Sequence, residues 1–134
     1  MKFKVITLFP EFIESIKNYS IIGRSVKSGK VEIKPVDLRG FGLGPHKQVD
    51  DKPFGGGIGM LLKVDVMDSA IKSATKSKNT NRKTILLSPQ GKQFDQSTAE
   101  KLSKLDEIVL VSGHYEGFDH RIRDLVDEEI SSGP

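Results

Sequence analysis

Two glycine-bearing segments and one glycine-rich loop contain the residues of this sequence that could carry chemistry. "SPQG" (88–91) follows the apolar run "TILL", "SGHYEG" (112–117) follows "EIVLV", and "PFGGGIGM" (53–60) has four glycines in eight residues. Glycine lets a backbone approach a ligand closely, so exposed amides in such turns can bind adenine, ribose or a carboxylate. Tyr115 could stack on a ring, and Glu116 could accept hydrogen bonds or face a cation. On spacing alone, the alternative that these glycines only make tight turns stays open.

The loop at 53–60 matches neither of two common phosphate-binding patterns. No Gly-Lys-Ser/Thr follows it, and no strand leads directly into it as in a dinucleotide fingerprint. Consecutive glycines have high backbone entropy that folding must overcome, so such a loop is either mobile or pressed against something. A flexible surface loop and a phosphate- or nucleotide-binding loop both remain as alternatives.

The composition excludes several kinds of site. The chain has no cysteine, which rules out disulfides, thiol catalysis and cysteine-ligated metals and fits a reducing cytosol. Its histidines, His46, His114 and His120, show neither zinc-ligand spacing nor a Ser-His-Asp order, so we expect no metal site and find a hydrolase poorly supported. No apolar run approaches the roughly 20 residues of a membrane span. We therefore predict a cytoplasmic protein without a membrane partner.

The net charge is small, but the charged residues are unevenly distributed along the chain. The net charge of +3 comes with a basic first half and an acidic "DLVDEE" near the end of the 134 residues. The basic first half includes Arg24, Lys27, Lys30, Lys34, Arg39, His46, Lys47 and Lys52. Such a span could contact a polyanion such as RNA, although an ordinary solvated surface would have the same charges.

Predicted strands and helices alternate along one domain. "KFKVITLF", "VEIKPVDLR", "TILL", "EIVLV" and "VDEEI" read as strands, with Pro35 indicating an edge or a bend. Helices are predicted after Pro10, over 20–27 with Gly29 just beyond, from an N-cap at Asp65, and in a last element at 119–125 capped by Asp119. A further helix follows Ser97, which we expect to cap it in a box with Glu100. Residues 40–60 are predicted to lack regular structure.

This order predicts an α/β fold with a mostly parallel sheet and helices on both faces. Ligands bind at the carboxyl ends of strands in such sheets. "SPQG" is predicted to be the junction between a strand and the next helix, and "SGHYEG" occupies the equivalent place after the next strand. We therefore expect the two segments to share one ligand site.

Several collinear motifs together resemble one known family. They are "ITLFPEFI", "GRSVKSGKVEI", "DDKPFGGGIGMLL", "LLSPQGKQFDQ" and "VSGHYEGFDHRI" followed by "VDEEIS". In this order they resemble bacterial tRNA (guanine-N1)-methyltransferases, over nearly the whole chain. The resemblance implies a SPOUT-type domain with a trefoil knot, S-adenosylmethionine as cofactor, tRNA as substrate and a homodimer. From periodicity alone we would not predict a knot, because true knots are rare in proteins.

The resemblance also implies roles for individual residues. The cofactor-binding set comprises Leu86, Leu87, Ser88, Pro89, Gly113, Tyr115, Glu116, Gly117, Ser132 and Gly133. The substrate- or RNA-binding set comprises Asp50, Gly56, Gly57, Gly59, Met60, Arg24 and Lys27. The reaction would be methylation of N1 of the guanosine 3′ to the anticodon, which needs a general base because that nitrogen carries a proton. In the family this base is an aspartate of the other subunit, with Glu116 in a supporting role.

The sequence departs from the family pattern at its end. The family continues after "EEIS" with Ile-Gly-Asp-Tyr, whereas here Ser132 and Pro134 replace the expected Ile and Asp. We interpret residues 1–131 as the cofactor-binding methyltransferase domain and 132–134 as a foreign tail. The last knot segment and the C-terminal tRNA-binding domain would then be absent, and we predict that this chain alone is inactive. The alternative is a non-catalytic RNA-binding or dimerisation module of the same fold.

Overall fold

The computed structural model describes residues 1–42, 50–51, 61–78, 81–112, 117–118 and 120–132, with backbone alone at residues 50, 51, 61, 62, 117 and 118. Strands and helices alternate, as predicted. In chain order, the elements are β1 (Lys2–Thr7), α1 (Pro10–Ile16), α2 (Ser20–Lys27), β2 (Glu32–Asp37), a 3-10 turn (Leu38–Phe41), β3 (Asp50–Asp51), β4 (Leu61–Leu62), α3 (Val64–Ala74), β5 (Arg82–Gln93), α4 (Gln96–Leu102), β6 (Glu107–Ser112), β7 (Gly117–Phe118), a second 3-10 turn (His120–Leu125) and β8 (Glu128–Ser131).

The main sheet has five strands in the order β2-β1-β6-β5-β8. Each neighbouring pair runs parallel, which confirms the predicted parallel sheet. Pro35 lies in β2, at one edge of this sheet. Proline has no N–H to donate to a second neighbour, so the edge position predicted from it is confirmed.

Apolar side chains cover both faces of the sheet. On one face, Ile6, Leu86 and Val109 pack against α3. On the other face, Ile85, Ile108 and Ile130 pack with Leu102 of α4. Successive strand residues point to opposite faces, so continuous apolar runs such as "TILL" supply both cores at once. The prediction of helices on both faces is confirmed.

An ion network ties the amino-terminal end of the sheet to α3. Glu107 is buried and accepts from Lys4 Nζ at 2.8 Å and from an Arg82 nitrogen at 3.3 Å. The same two cations donate to carbonyls at the end of α3, Lys4 to Ala74 at 2.7 Å and Arg82 to Thr75 at 3.0 Å. Positive charge is favourable at a helix C-terminus, so the network both neutralises Glu107 and caps the helix.

Two predicted helix caps are wrong. α3 follows Lys63, and Asp65 lies in its first turn instead of capping it. α4 is capped by Asp95, whose carboxylate accepts from the Thr98 N–H at 2.7 Å. Ser97 therefore lies inside the helix. Asp95 and Ser97 are both of residue types that cap helices. The helix begins after Asp95, which has the extended backbone of an N-cap.

Other local predictions have mixed outcomes. α1 begins at Pro10, and Gly29 follows α2 with a φ of +77°, both as predicted. Residues 40–60 were expected to be irregular, which is wrong for the 3-10 turn at 38–41 and for β3. Residues 43–49 and 52–60 lie outside the described part. The last predicted helix is a 3-10 turn, and its expected cap, Asp119, lies outside the described residues.

Candidate functional site

The pairing of β5 with β6 ends where the two predicted glycine-bearing segments begin. Leu87 is the register partner of Ser112, the last pair between these parallel strands. Ser88 follows Leu87 in the sequence and Ser112 begins "SGHYEG", so the two segments start at neighbouring places in the sheet. Gly113, Tyr115 and Glu116 themselves lie outside the described residues, and Gly117 is described by its backbone.

"SPQG" is part of a strand, so the prediction that it connects a strand to a helix is wrong. β5 continues to Gln93, and both Leu87 and Lys92 are register partners of Ile130 in β8. Residues 88–91 therefore form a bulge opposite a single residue of β8. Pro89 has no N–H for a ladder hydrogen bond, which explains why regular pairing stops there.

Close backbone packing and one hydroxyl shape the bulge. A Cβ atom on Gly91 would stand 2.6 Å from the Ile130 nitrogen, so only glycine fits this position without a shift of β8. The buried Ser88 accepts from the Gln90 N–H at 3.1 Å through its hydroxyl. Pro89 is exposed at the tip. The bulge thus presents backbone and small side chains at the strand end.

Leu86 and Leu87 face opposite sides of the sheet. Leu86 is only 1% exposed and packs in the core beneath α3, so its side chain is not available to a ligand. Leu87 is partly buried on the other face. Of the two predicted cofactor residues, Leu87 offers a side chain and Leu86 at most its backbone.

An apolar cavity of about 540 Å³ lies on the face that Leu87 shares with α4. Its lining includes Phe3, Ile85, Leu87, Leu102, Leu110 and Ser132. Leu87 and Ser132 both belong to the predicted cofactor set, and the fold brings them to one cavity although 45 positions separate them in the printed numbering. The volume falls in the range of about 300–1,000 Å³ that small-molecule sites occupy. Gly133 lies outside the described residues.

A second, small sheet joins the residues on either side of the glycine-rich loop to Gly117 of the predicted cofactor set. Asp51 pairs with Leu61 in the antiparallel pair β3–β4, and Leu61 pairs with Gly117 in the parallel pair β4–β7. Asp51 and Leu61, which flank residues 52–60, are thus paired with each other. Leu61 is also paired with Gly117, the last residue of 113–117. Asp50, a predicted substrate residue, lies in β3 of this sheet.

The remaining predicted substrate residues fall into two groups. Gly56, Gly57, Gly59 and Met60 lie outside the described residues. Arg24 and Lys27 are exposed in the last turn of α2, three residues apart and so on neighbouring positions of its surface. They are available to a polyanion, and no contact in the described part connects them to the bulge.

A charged cluster beside the bulge was missed in the sequence. Arg123 Nε lies 2.8 Å from Glu129 Oε1, and Arg123 also donates to the side-chain oxygen of Gln90. Burial alone would raise the pKa of Glu129, but the Ser88 hydroxyl, Arg123 and His120 together hold that pKa below its usual value of 4.5. The only signal was the charged run "RDLVDEE", which predicts an ordinary solvated surface equally well.

Two kinds of feature are absent from the described part of the chain, a metal site and a membrane-spanning helix. No three His, Asp or Glu side chains there are grouped so as to hold a metal ion. The helices there are also too short and too polar to cross a membrane.

The fold and the paired strand ends define a class of protein. A parallel α/β sheet of this order, with glycine-bearing segments at neighbouring strand ends, is a SPOUT-type methyltransferase fold. The family model described as tRNA (guanine-1)-methyltransferase TrmD matches residues 1–134. The chain belongs to this family.

Relatives and a solved structure agree with this assignment. The chain is 46% identical over 133 residues to a tRNA (guanine-N(1)-)-methyltransferase of Sulfurihydrogenibium sp. (strain YO3AOP1), covering 99% of the chain and 52% of the relative. It is 48% identical to that of Mycoplasmopsis synoviae (strain 53), covering 99% and 57%. The crystal structure of tRNA (m1G37) methyltransferase from Aquifex aeolicus matches with a TM-score of 0.83 and 37% identity, covering 99% and 60%. The chain spans about half the length of the curated relatives it matches.

Proposed function

We propose that this chain is the cofactor-binding domain, residues 1–131, of an enzyme that methylates N1 of the guanosine 3′ to the anticodon of tRNA. The methyl donor would be S-adenosylmethionine. The observation that carries the proposal is the pairing Asp51–Leu61–Gly117, because it joins the flanks of the glycine-rich loop to the cofactor segment. A donor site and an acceptor site must be adjacent for a direct transfer.

The donor side of the proposal rests on the bulge and the cavity. The cavity beside Leu87 offers an apolar wall of the kind that a purine ring needs, and Ser132 adds a hydroxyl. The close packing of Gly91 on β8 leaves backbone and small groups at the strand end, where polar parts of a nucleoside can be hydrogen-bonded. These residues fit S-adenosylmethionine, which when bound supplies a methyl group on a positively charged sulfur.

The residues proposed to bind the methyl donor differ in whether they would contact it with a side chain or with the backbone. Leu87 and Ser132 would contact the donor with side chains, and Ser88 and Pro89 would shape the bulge. Leu86 would contribute backbone only, because its side chain is in the core. Gly113, Tyr115, Glu116, Gly117 and Gly133 complete the proposed set.

The acceptor side of the proposal combines the glycine-rich loop with the basic helix surface. Asp50, Gly56, Gly57, Gly59 and Met60 would lie near the target base. Arg24 and Lys27 would contact phosphates, for which exposed cations on a helix are suited. A tRNA substrate also implies that the protein works in the cytoplasm.

Proton removal is proposed to come from outside this chain. N1 of guanine carries a proton at neutral pH, so its attack on the methyl group needs a general base. We infer that an aspartate of a second subunit supplies it, with Glu116 supporting, and hence that the working enzyme is a homodimer. Sedimentation velocity of the full-length protein would test the dimer.

Calorimetry and a methylation assay with the full-length protein test the function. We expect S-adenosylmethionine to bind and a tRNA transcript to be methylated at the guanosine 3′ to its anticodon. A matched transcript with adenosine at that position should not be methylated. Binding of donor without methylation would favour a non-catalytic RNA-binding or dimerisation module. Binding of simple nucleotides in place of the donor would overturn the proposal.

A further inference from the structure

The regular pairing of β5 with β8 is interrupted at the bulge, residues 88–91. Its two flanks share one partner, Ile130, so these four residues stand outside the regular ladder of β8. Pro89 has no N–H, and the N–H of Gln90 is directed to the Ser88 hydroxyl. Side-chain contacts therefore contribute to the shape of this segment, beside the close packing of Gly91 on β8.

Arg123 makes the contacts that connect this segment to the rest of the fold. From the 3-10 turn before β8, it donates to the Gln90 side-chain oxygen and to Glu129 Oε1, the latter at 2.8 Å. A third nitrogen lies 2.8 Å from His120 Nδ1, which must accept because a guanidinium only donates. One planar side chain thus joins the tip of the bulge, β8 and the 3-10 turn.

Glu129 fixes Arg123 from the other side. Its side chain is 19% exposed and that of Arg123 is 31% exposed, so the pair is largely shielded from solvent. The Ser88 hydroxyl, at the start of the bulge, is one of the groups that lower the pKa of this carboxylate. Gln90, the third residue of the bulge, is therefore connected through Arg123 to a carboxylate that stays charged.

We propose that Arg123 is a positioning residue for the methyl-donor site: by holding Gln90 and Glu129 it fixes the shape of residues 88–91. Only the last step, from the shape of the bulge to donor binding, rests on the proposed function. Arginine is suited to this task because its rigid fork of donors serves several acceptors at once, which lysine cannot do.

The chain offers a matched control for Arg123→Ala. Lys83 pairs with Glu128 at 3.1 Å, across the same two strands and one residue before Glu129 in β8. This ion pair is more exposed, at 44% and 35% for its two side chains, and neither partner makes a hydrogen bond or ion pair with the described residues 88–91. Lys83→Ala therefore removes a β5–β8 ion pair without removing a contact to 88–91.

The first measurement is amide hydrogen exchange at 88–91 in the full-length protein without donor. We expect exchange to be about tenfold faster in Arg123→Ala, as the loss of a charge-assisted hydrogen bond implies, and unchanged in Lys83→Ala. Arg123→Lys should be intermediate. Equal exchange in the two alanine variants would overturn the positioning role.

The second measurement is donor binding and turnover in the same proteins. Arg123→Ala should raise the calorimetric Kd and the KM for S-adenosylmethionine about tenfold with little change in kcat, since the reacting groups stay in place. Lys83→Ala should keep the wild-type Kd. If Arg123→Ala binds donor within about twofold of Lys83→Ala, the inference is wrong although the proposed function stands.

A third variant keeps the test decisive if Arg123→Ala does not fold. Gln90→Ala removes the Arg123–Gln90 hydrogen bond from the other end and should show part of the same loss of affinity. In the double variant the two effects should add to less than their sum, because both substitutions break this hydrogen bond. A wild-type protein that binds no donor would overturn the proposed function and the donor part of this inference, while hydrogen exchange would still decide whether Arg123 shapes the bulge.

Discussion

Gly91 lies against the backbone of Ile130 more closely than any side chain at residue 91 would allow. A Cβ atom there would stand 2.6 Å from the Ile130 nitrogen and 2.7 Å from its carbonyl carbon. β8 is an edge strand, but Ile130 and Ser131 are buried, so its backbone cannot move aside cheaply. The approach of β5 to β8, and with it the shape of the bulge, depends on this glycine.

Gly91→Ala is therefore expected to destabilise the protein by about 1–3 kcal/mol, the usual cost of overpacking. Urea denaturation would measure the change. Gly40→Ala is the matched control, because a Cβ at Gly40 meets nothing within 4 Å and its φ is not positive. Equal stability of the two variants would show that β8 can shift to make room.

Asp95 should contribute more to the stability of α4 than Ser97 does. Asp95→Ala removes the acceptor of the Thr98 N–H and should lower the midpoint of thermal unfolding. Ser97→Ala leaves this bond intact and should change the midpoint little. A larger loss in the Ser97 variant would restore the capping box that the sequence suggested.

We predict that Glu107 is essential for the ion network that connects the sheet to the end of α3. Glu107→Gln leaves Lys4 and Arg82 without their shared counter-charge in a buried site, a change that typically costs about 3–5 kcal/mol. The control is Lys72→Ala, which breaks the exposed pair with Asp68 and should cost no more than about 0.5 kcal/mol. Chemical denaturation of both variants checks the difference.

The same carboxylate gives the stability a defined pH dependence. Burial opposes its charge, but the hydrogen bonds and charges of Lys4 and Arg82 prevail and hold the pKa of Glu107 below its usual 4.5. Because the pKa is lower in the folded than in the unfolded state, the stabilisation is complete above pH 4.5 and is lost as the pH falls through the folded-state value. The stability gap between wild type and Glu107→Gln should therefore narrow below pH 4.5. A gap that stays constant in that range would contradict this account.

The exposed cations of α2 are expected to contribute to tRNA affinity in the full-length protein. Reversing Arg24 and Lys27 to Glu should weaken binding and reduce the slope of log Kd against log salt by about 2, one for each lost phosphate contact. The same reversal of Lys76 and Lys78, which follow α3, changes the net charge equally and is the control. If both double variants lose the same affinity, the effect is one of net charge and not of a binding surface.

Much of the fold was predictable because it depends on local periodicity. The apolar runs around Ile85 and Val109 indicated strands covered on both faces, and the alternation with helices indicated a parallel sheet. The start at Pro10 and the positive φ of Gly29 follow from the backbone preferences of those two residues. The error at Ser97 arose because Asp95, two residues earlier, satisfies the same capping rule, whereas α3 begins after Lys63 without a side-chain cap.

The sequence by itself determined the class of protein and the two apolar strand segments that its glycine-bearing segments follow, since motifs and apolar runs are properties of short stretches. Only the tertiary structure decided that "SPQG" is a bulge packed on β8, that Leu86 faces the core while Leu87 and Ser132 share a cavity, and that Arg123 reaches Gln90. These features depend on which distant strands are neighbours. The register of each strand, and the face of the sheet that each side chain covers, depend on the packing of the whole sheet. The contacts of a side chain therefore cannot be predicted from its neighbours in the sequence.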